Sequence, residues 1–159
     1  MAAVYQTDDG GDWIVRPLHH IEDEPIIRPI GERDLYLGNW RAADSAYHDR
    51  TFDHVLSATS STPPMTTHHC PLTDGPDNEW RAFERAVDTA RQLYRRDGSL
   101  LIHCTAGISR SSTLIATTIA AEEDRQLHDA LSIVKQVRPM ANPNPALHEW
   151  AVIYLATQE

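Results

Sequence analysis

The sequence predicts an α/β fold: one domain, with a central, mostly parallel sheet flanked by helices. Three observations carry this. Short apolar runs alternate with segments of helical period, the pattern of strands and helices in turn. One run, Leu100-Leu-Ile102, has no polar alternation, as expected of a strand covered on both faces. It leads through small residues straight into a helix-like run, placing a loop at the carboxyl end of a central strand.

The elements follow in order. Residues 1–12 read as an acidic tail, with Asp8-Asp-Gly-Gly-Asp12 too polar to pack, and residues 1–24 together as a partly flexible lead-in. Trp13-Ile-Val15 is a short edge segment. Pro25 and Pro29 flank Ile26-Ile27 and favour extended chain. Leu35-Tyr-Leu37 is the first core strand, closed by Gly38-Asn39. Trp40 to Tyr47 reads as a short helix with Trp40, Ala43 and Tyr47 on one face. Phe52 to Ser57 is a second strand, and His68 to Leu72 a short extended segment delivering Thr73-Asp-Gly-Pro76. A helix follows, with Asp77 or Asn78 as its cap and Glu79 in its first turn. Trp80, Phe83, Val87, Ala90 and Tyr94 form its apolar stripe. After Gly98 and the Leu100 strand come three helices: Ser111 to Ala120, Leu127 to Val137, and Pro145 to Ala156.

Composition narrows the function. The 159 residues suit one domain, and 41% hydrophobic content builds a full core. Two cysteines exclude a disulfide framework and suit a reducing compartment. No apolar run approaches the roughly 20 residues of a membrane span. The amino-terminal residues lack the basic-then-apolar order of a signal peptide, which makes the cytoplasm the expected location. A net charge of −9 argues against nucleic acid as the main partner and against docking on anionic lipid. Lys135 is the only lysine, so nearly all positive charge is arginine. Codon bias accounts for this more simply than adaptation to salt.

The chemistry concentrates in His103-Cys-Thr-Ala-Gly-Ile-Ser-Arg-Ser-Ser112. A strand turning tightly into a helix through small residues aims successive N–H groups into one concave space, which binds a tetrahedral anion. Arg110 adds a planar fork for two phosphate oxygens. Cys104 lies at the floor of that positive field, a setting that favours the thiolate. Two carboxylates compete as proton donor. Asp77 is explained as a helix cap, whereas Asp74 stands in a Thr-Asp-Gly-Pro turn where Gly75 permits movement; geometry alone leaves the choice open. The hydroxyl of Ser111 suits either donation to the Cys104 sulfur or capping, a task Ser112 can share. His103 suits loop orientation rather than base catalysis. Asn144 is a turn residue or a buttress of the loop. His68, His69 and Cys70 make a poor metal site, because consecutive residues of an extended segment face opposite ways.

This loop resembles the signature HCxxGxxR[S/T] of the cysteine-dependent protein phosphatases, and AGISRSS is most similar to their dual-specificity branch. Ile30 to Asn39 resembles the family's opening strand with its LYLGN ending. Pro71-Leu-Thr-Asp74 resembles its general-acid segment, and Arg138-Pro-Met-Ala-Asn-Pro-Asn144 its RPxAxPN segment. The resemblance runs from about Ile30 to Leu155 and implies a catalytic domain over 25–159. It implies Cys104 as nucleophile, Arg110 and the backbone of Thr105, Ala106, Gly107, Ile108 and Ser109 as phosphate ligands, and Asp74 as general acid and then base. It gives Ser111 a catalytic-support role and needs no metal or other cofactor. The implied substrate is a phosphorylated protein, carrying phosphotyrosine and also phosphoserine or phosphothreonine. Relatives acting on phosphoinositides or RNA 5′-ends tend to carry basic residues near the loop, whereas Thr105, Ala106, Ile108 and Ser109 are uncharged. A non-catalytic phosphoprotein-binding module is a further alternative, disfavoured by the intact Cys104, Arg110 and Asp74. Some relatives protect the nucleophile with a disulfide, here Cys70 to Cys104; a buried thiol is the simpler reading of Cys70.

Overall fold

The computed structural model describes residues 22–158, together with two strands, β1 (Val4–Thr7) and β2 (Trp13–Arg16). These two pair antiparallel with Val4 opposite Arg16. A strand over Val4–Thr7 differs from the tail read there, and Val4, Tyr5 and Thr7 are residues that favour strands. The Asp8–Asp12 part of that expectation lies outside the described residues.

The main sheet has five strands: β3 (Ile27–Pro29), β4 (Leu35–Gly38), β5 (His54–Ser57), β6 (His68–His69) and β7 (Leu100–His103). Their order is β3-β4-β7-β5-β6, and only the β3–β4 pairing is antiparallel. Strand β7 is central and buried at every residue, as its unbroken apolar run predicts. The Pro25–Pro29 lead-in forms an edge strand, where a proline costs no ladder hydrogen bond.

Four helices follow: α1 (Trp80–Arg95), α2 (Arg110–Glu122), α3 (Leu127–Val137) and α4 (Pro145–Thr157). Helix α2 packs against α1, α3, α4 and β7 and is buried from Ser111 to Ala120, so it shows little amphipathic pattern. Phe83, Val87 and Ala90 of the α1 stripe are fully buried, and Trp80 and Tyr94 pack at its margins.

Two local expectations are corrected. Trp40 to Tyr47 is not a full helix: a single 3-10 turn spans Trp40–Ala43 and stops at extended Asp44. Trp40 and Tyr47 still meet edge to face at 5.3 Å, brought together by the loop. The α1 cap is neither Asp77 nor Asn78. Glu79 occupies that position without a side-chain cap bond. Asn78 instead folds back, accepting from the Thr73 N–H and donating to the Thr73 and Gly75 carbonyls. A side-chain amide satisfies both a donor and an acceptor of the loop, a closure that capping alone would not provide.

Candidate active site

The loop of residues 104–109 joins β7 to α2, and its conformation follows from where its carbonyls go. The Thr105 carbonyl accepts from the Trp40 N–H at 3.2 Å, and the Ile108 carbonyl from the Asn142 N–H at 2.9 Å. Arg138 donates through Nη2 to the Ala106 carbonyl at 3.0 Å and through Nε to the Gly107 carbonyl at 3.2 Å. The Ser112 hydroxyl donates to the Ile108 and Ser109 carbonyls, so it is a loop brace rather than a cap. With the carbonyls drawn outward, the peptide N–H groups are left facing the other way. Among the described residues nothing accepts from the N–H groups of residues 105–110. Unpaired N–H groups at a helix start, arranged around one centre, form an anion nest.

Two glycines permit this. Gly107 has φ +69, and a Cβ there would sit 3.0 Å from the Gly38 carbonyl oxygen. Gly38 is tighter still, since a Cβ would meet the Ala42 side chain at 2.7 Å. The LYLG end of β4 thus supports the loop from below, with the Cys104 N–H donating to the Gly38 carbonyl at 3.4 Å.

Cys104 is 2% exposed. The Ser111 N–H donates to its sulfur at 3.4 Å, and the Ser111 hydroxyl lies 3.2 Å from the same atom. Arg110 spans the site: Nη2 donates to the Thr105 hydroxyl at 3.1 Å, and Nη1 to the Leu72 carbonyl at 3.0 Å. His103 is fully buried, and burial lowers its pKa to about 4. It is therefore neutral near pH 7. Its Nε2 lies 2.6 Å from the Ser57 hydroxyl, which ties the end of β7 to β5.

Asp74 is exposed, two residues beyond the carbonyl that holds Arg110. Asn144 donates to the Asp74 carbonyl at 3.5 Å, and its own N–H donates to the Ser109 hydroxyl at 2.8 Å. Its side-chain oxygen also caps α4 through the Ala146 N–H. The Asp74 segment is thus fastened to the loop from both ends. Asp77, no longer explained as a cap, has no comparable link among the described residues. Gly75 has neither positive φ nor crowding, so its conformation does not itself require glycine.

The His68, His69 and Cys70 segment turns its polar atoms to protein partners. His68 Nδ1 meets the Thr67 hydroxyl at 2.9 Å, and His69 Nε2 meets the Thr59 carbonyl at 2.7 Å. Among the described residues no three His, Cys, Asp or Glu side chains cluster as a metal site. Cys70 and Cys104 are both buried free thiols. His69 and His103 align with Ser57 on opposite sides of β5, so the cysteines that follow them lie two strand spacings apart, about 10 Å. A disulfide joins Cα atoms no more than about 7 Å apart, so this pair cannot bridge without backbone movement.

Arg138, Asn142, Trp40, Gly38 and Asn78 are the site residues that sequence reasoning did not assign. Arg138 stood within the RPxAxPN resemblance, a signal that pointed to its segment and not to its task.

The family model for the dual specificity phosphatase catalytic domain matches residues 35–155. Human dual specificity protein phosphatase 22 is 36% identical over 117 residues, covering 69% of this chain and 64% of that protein. Human dual specificity protein phosphatase 15 is 31% identical over 122 residues, covering 72% and 41%. The chain therefore spans less than two thirds of the length of these relatives. Among solved structures, human DUSP28 superposes with a TM-score of 0.71 at 21% identity, covering 84% of this chain and 97% of that one. DUSP15 superposes with a TM-score of 0.69 at 27% identity, covering 84% and 90%.

Proposed function

Because the chain belongs to the dual specificity phosphatase family, we propose that it hydrolyses phosphate monoesters of proteins through a phosphocysteine intermediate. The observation that carries this reading is the nest: six N–H groups, of residues 105–110, that nothing among the described residues accepts from, in a loop that runs from the buried Cys104 to Arg110, whose fork bonds the Thr105 hydroxyl.

The chemistry follows in two steps. Cys104 Sγ attacks phosphorus as thiolate, forming the S–P bond while the bond to the leaving oxygen breaks. The N–H groups of residues 105–110 and Arg110 hold the non-bridging oxygens as charge redistributes. Asp74 gives its proton to the leaving oxygen. Water then attacks the phosphocysteine, Asp74 takes a proton from it, and the S–P bond breaks to release inorganic phosphate. The Ser111 hydroxyl, 3.2 Å from the sulfur, stabilises the departing thiolate in this second step. His103 orients the loop as a neutral ring. No metal enters, because the nest and Arg110 supply the positive field.

The substrate is a phosphorylated protein carrying phosphotyrosine, with phosphoserine and phosphothreonine as further substrates. The uncharged side chains of Thr105, Ala106, Ile108 and Ser109 give a polyanionic inositide or RNA end little to hold. The two free thiols support a cytoplasmic setting. No helix among the described residues is long and apolar enough to cross a membrane.

The test is hydrolysis of phosphopeptides and aryl phosphates in the presence of chelator. Cys104→Ser is expected to abolish turnover with the melting temperature retained, and orthovanadate to block the wild type. Asp74→Asn is expected to lose about 10²–10⁴-fold on poor leaving groups and much less on nitrophenyl phosphate. Activity in Cys104→Ser overturns the mechanism. If Asp77→Asn shows the leaving-group dependence and Asp74→Asn does not, the acid is misassigned.

A further inference from the structure

The loop presents its N–H groups only while its carbonyls point outward. Two of the five outward carbonyls, at Ala106 and Gly107, depend on one side chain, Arg138, which lies 31 residues beyond Gly107 and is 5% exposed. The peptide between Ala106 and Gly107 is free to turn over on the glycine side. Gly107 carries no side chain to resist rotation and already sits at φ +69. A flip there would point a carbonyl at the bound anion and remove one N–H from it.

Arg138 is itself braced from outside the family-matched segment. Its Nη1 and Nη2 both lie 3.4 Å from Glu22 Oε1. Glu22 is in turn fixed to the body. Its carbonyl accepts from Arg41 Nε at 3.0 Å, and Asn39 Nδ2 donates to the Glu24 carbonyl at 3.0 Å. The Asn39 side-chain oxygen accepts from the Ile26 N–H at 3.0 Å. Residues 22–26 therefore lie as a strap along the end of β4 that supports the loop.

We propose that Arg138 is a positioning residue that holds the Ala106–Gly107 peptide with its N–H toward the oxyanion, and that Glu22 of the strap braces it there. The inference rests on the reading of the loop as a phosphate site. Arg138 touches no substrate and acts only through the loop backbone.

Inhibition by tungstate, measured with kcat, KM and melting temperature on the full chain, tests this. Arg138→Met is expected to weaken tungstate inhibition and lower kcat by about 10²-fold, the scale of losing one oxyanion donor. Arg138→Lys, which keeps a donor but not the fork, is expected to fall between Met and wild type and guards against a folding failure in the Met variant. Glu22→Gln is expected to lose about two- to five-fold, the scale of a partly exposed ion pair. In the Arg138→Met background Glu22→Gln is expected to add nothing. Wild-type tungstate affinity in folded Arg138→Met and Arg138→Lys overturns the proposal. So does a Glu22→Gln loss that persists undiminished in the Arg138→Met background. If tungstate fails to inhibit the wild type, the phosphate-site reading itself fails.

Discussion

Helix α2 ends differently at its two termini. At its amino end nothing among the described residues accepts from the N–H groups of the loop, and Arg110, the first helical residue, bonds Leu72 and Thr105 beyond a loop that begins at the buried Cys104. At its carboxyl end Glu122 and Glu123 sit where the helix dipole opposes negative charge. There every carboxylate oxygen is bonded: Glu123 by Arg33, Tyr94 and Arg125, Glu122 by Arg91 and Arg95. The finished end supplies stability, and the unfinished end keeps N–H groups without partners among the described residues, which the proposed function assigns to a tetrahedral anion. The arginine-rich composition serves both, since a planar fork grips a carboxylate and a phosphate alike.

The largest effect belongs to the unfinished end. Arg110→Lys keeps the charge but loses the planar fork that also bonds Leu72 and Thr105. It is expected to lower kcat by about 10²–10³-fold with little change in melting temperature. Near-wild-type kinetics would show that net charge alone suffices, and the contrast between the two ends would weaken.

Much of this was legible beforehand, and the reasons are local. Leu100-Leu-Ile102 reads as a central strand because apolar runs without alternation have one explanation. The Cys104-to-Arg110 spacing reads as an anion loop because chemistry and geometry share one short segment. What stayed hidden depends on distant partners. The loop carbonyls are held by Trp40, Arg138 and Asn142, and no pattern within residues 103–112 announces them. Asn78 was misread because an amide before a helix suits a cap as well as a loop clamp, and only the folded chain decides between them. The helix read over Trp40 to Tyr47 failed because Asp44, in extended conformation, ends the turn early.

The finished end predicts how stability depends on pH. Bonding, first to Arg33 and also to Tyr94 and Arg125, lowers the Glu123 pKa to about 2 in the folded protein. A depressed carboxylate contributes stability above its unfolded pKa, about 4.3, and loses it as pH falls toward 2. His103 acts earlier. Its folded pKa of about 4 lies below the usual 6.5, so unfolding takes up a proton, and stability declines as pH falls from about 6.5. Urea titrations from pH 7 to 3 are expected to show two stages of loss. Glu123→Gln is expected to cost about 1–3 kcal/mol at pH 7 and to flatten only the lower stage. A lower stage unchanged in that variant would remove Glu123 from the account.

The smallest expected effect separates the two arginines that share Glu122. Arg95 makes the shorter contacts, 2.6 and 2.7 Å, and holds both carboxylate oxygens. Distance alone would rank it first. Its side chain is 59% exposed, however, whereas that of Arg91 is 16% exposed. Water and salt screen the Arg95 pair, and holding a long exposed side chain costs entropy. Arg91 also donates to the Tyr154 hydroxyl at 2.9 Å, and that hydroxyl donates on to Asp88. Removing Arg91 leaves Glu122, itself only 10% exposed, dependent on the outer arginine and deprives Tyr154 of a partner. Arg91→Ala is therefore expected to cost about 1–3 kcal/mol. Arg95→Ala is expected to cost clearly less, and its cost should shrink further in high salt. Urea midpoints of the two variants at low and high salt decide the order. A larger loss for Arg95→Ala at both salt concentrations would mean that contact geometry outweighs burial at this end of the helix.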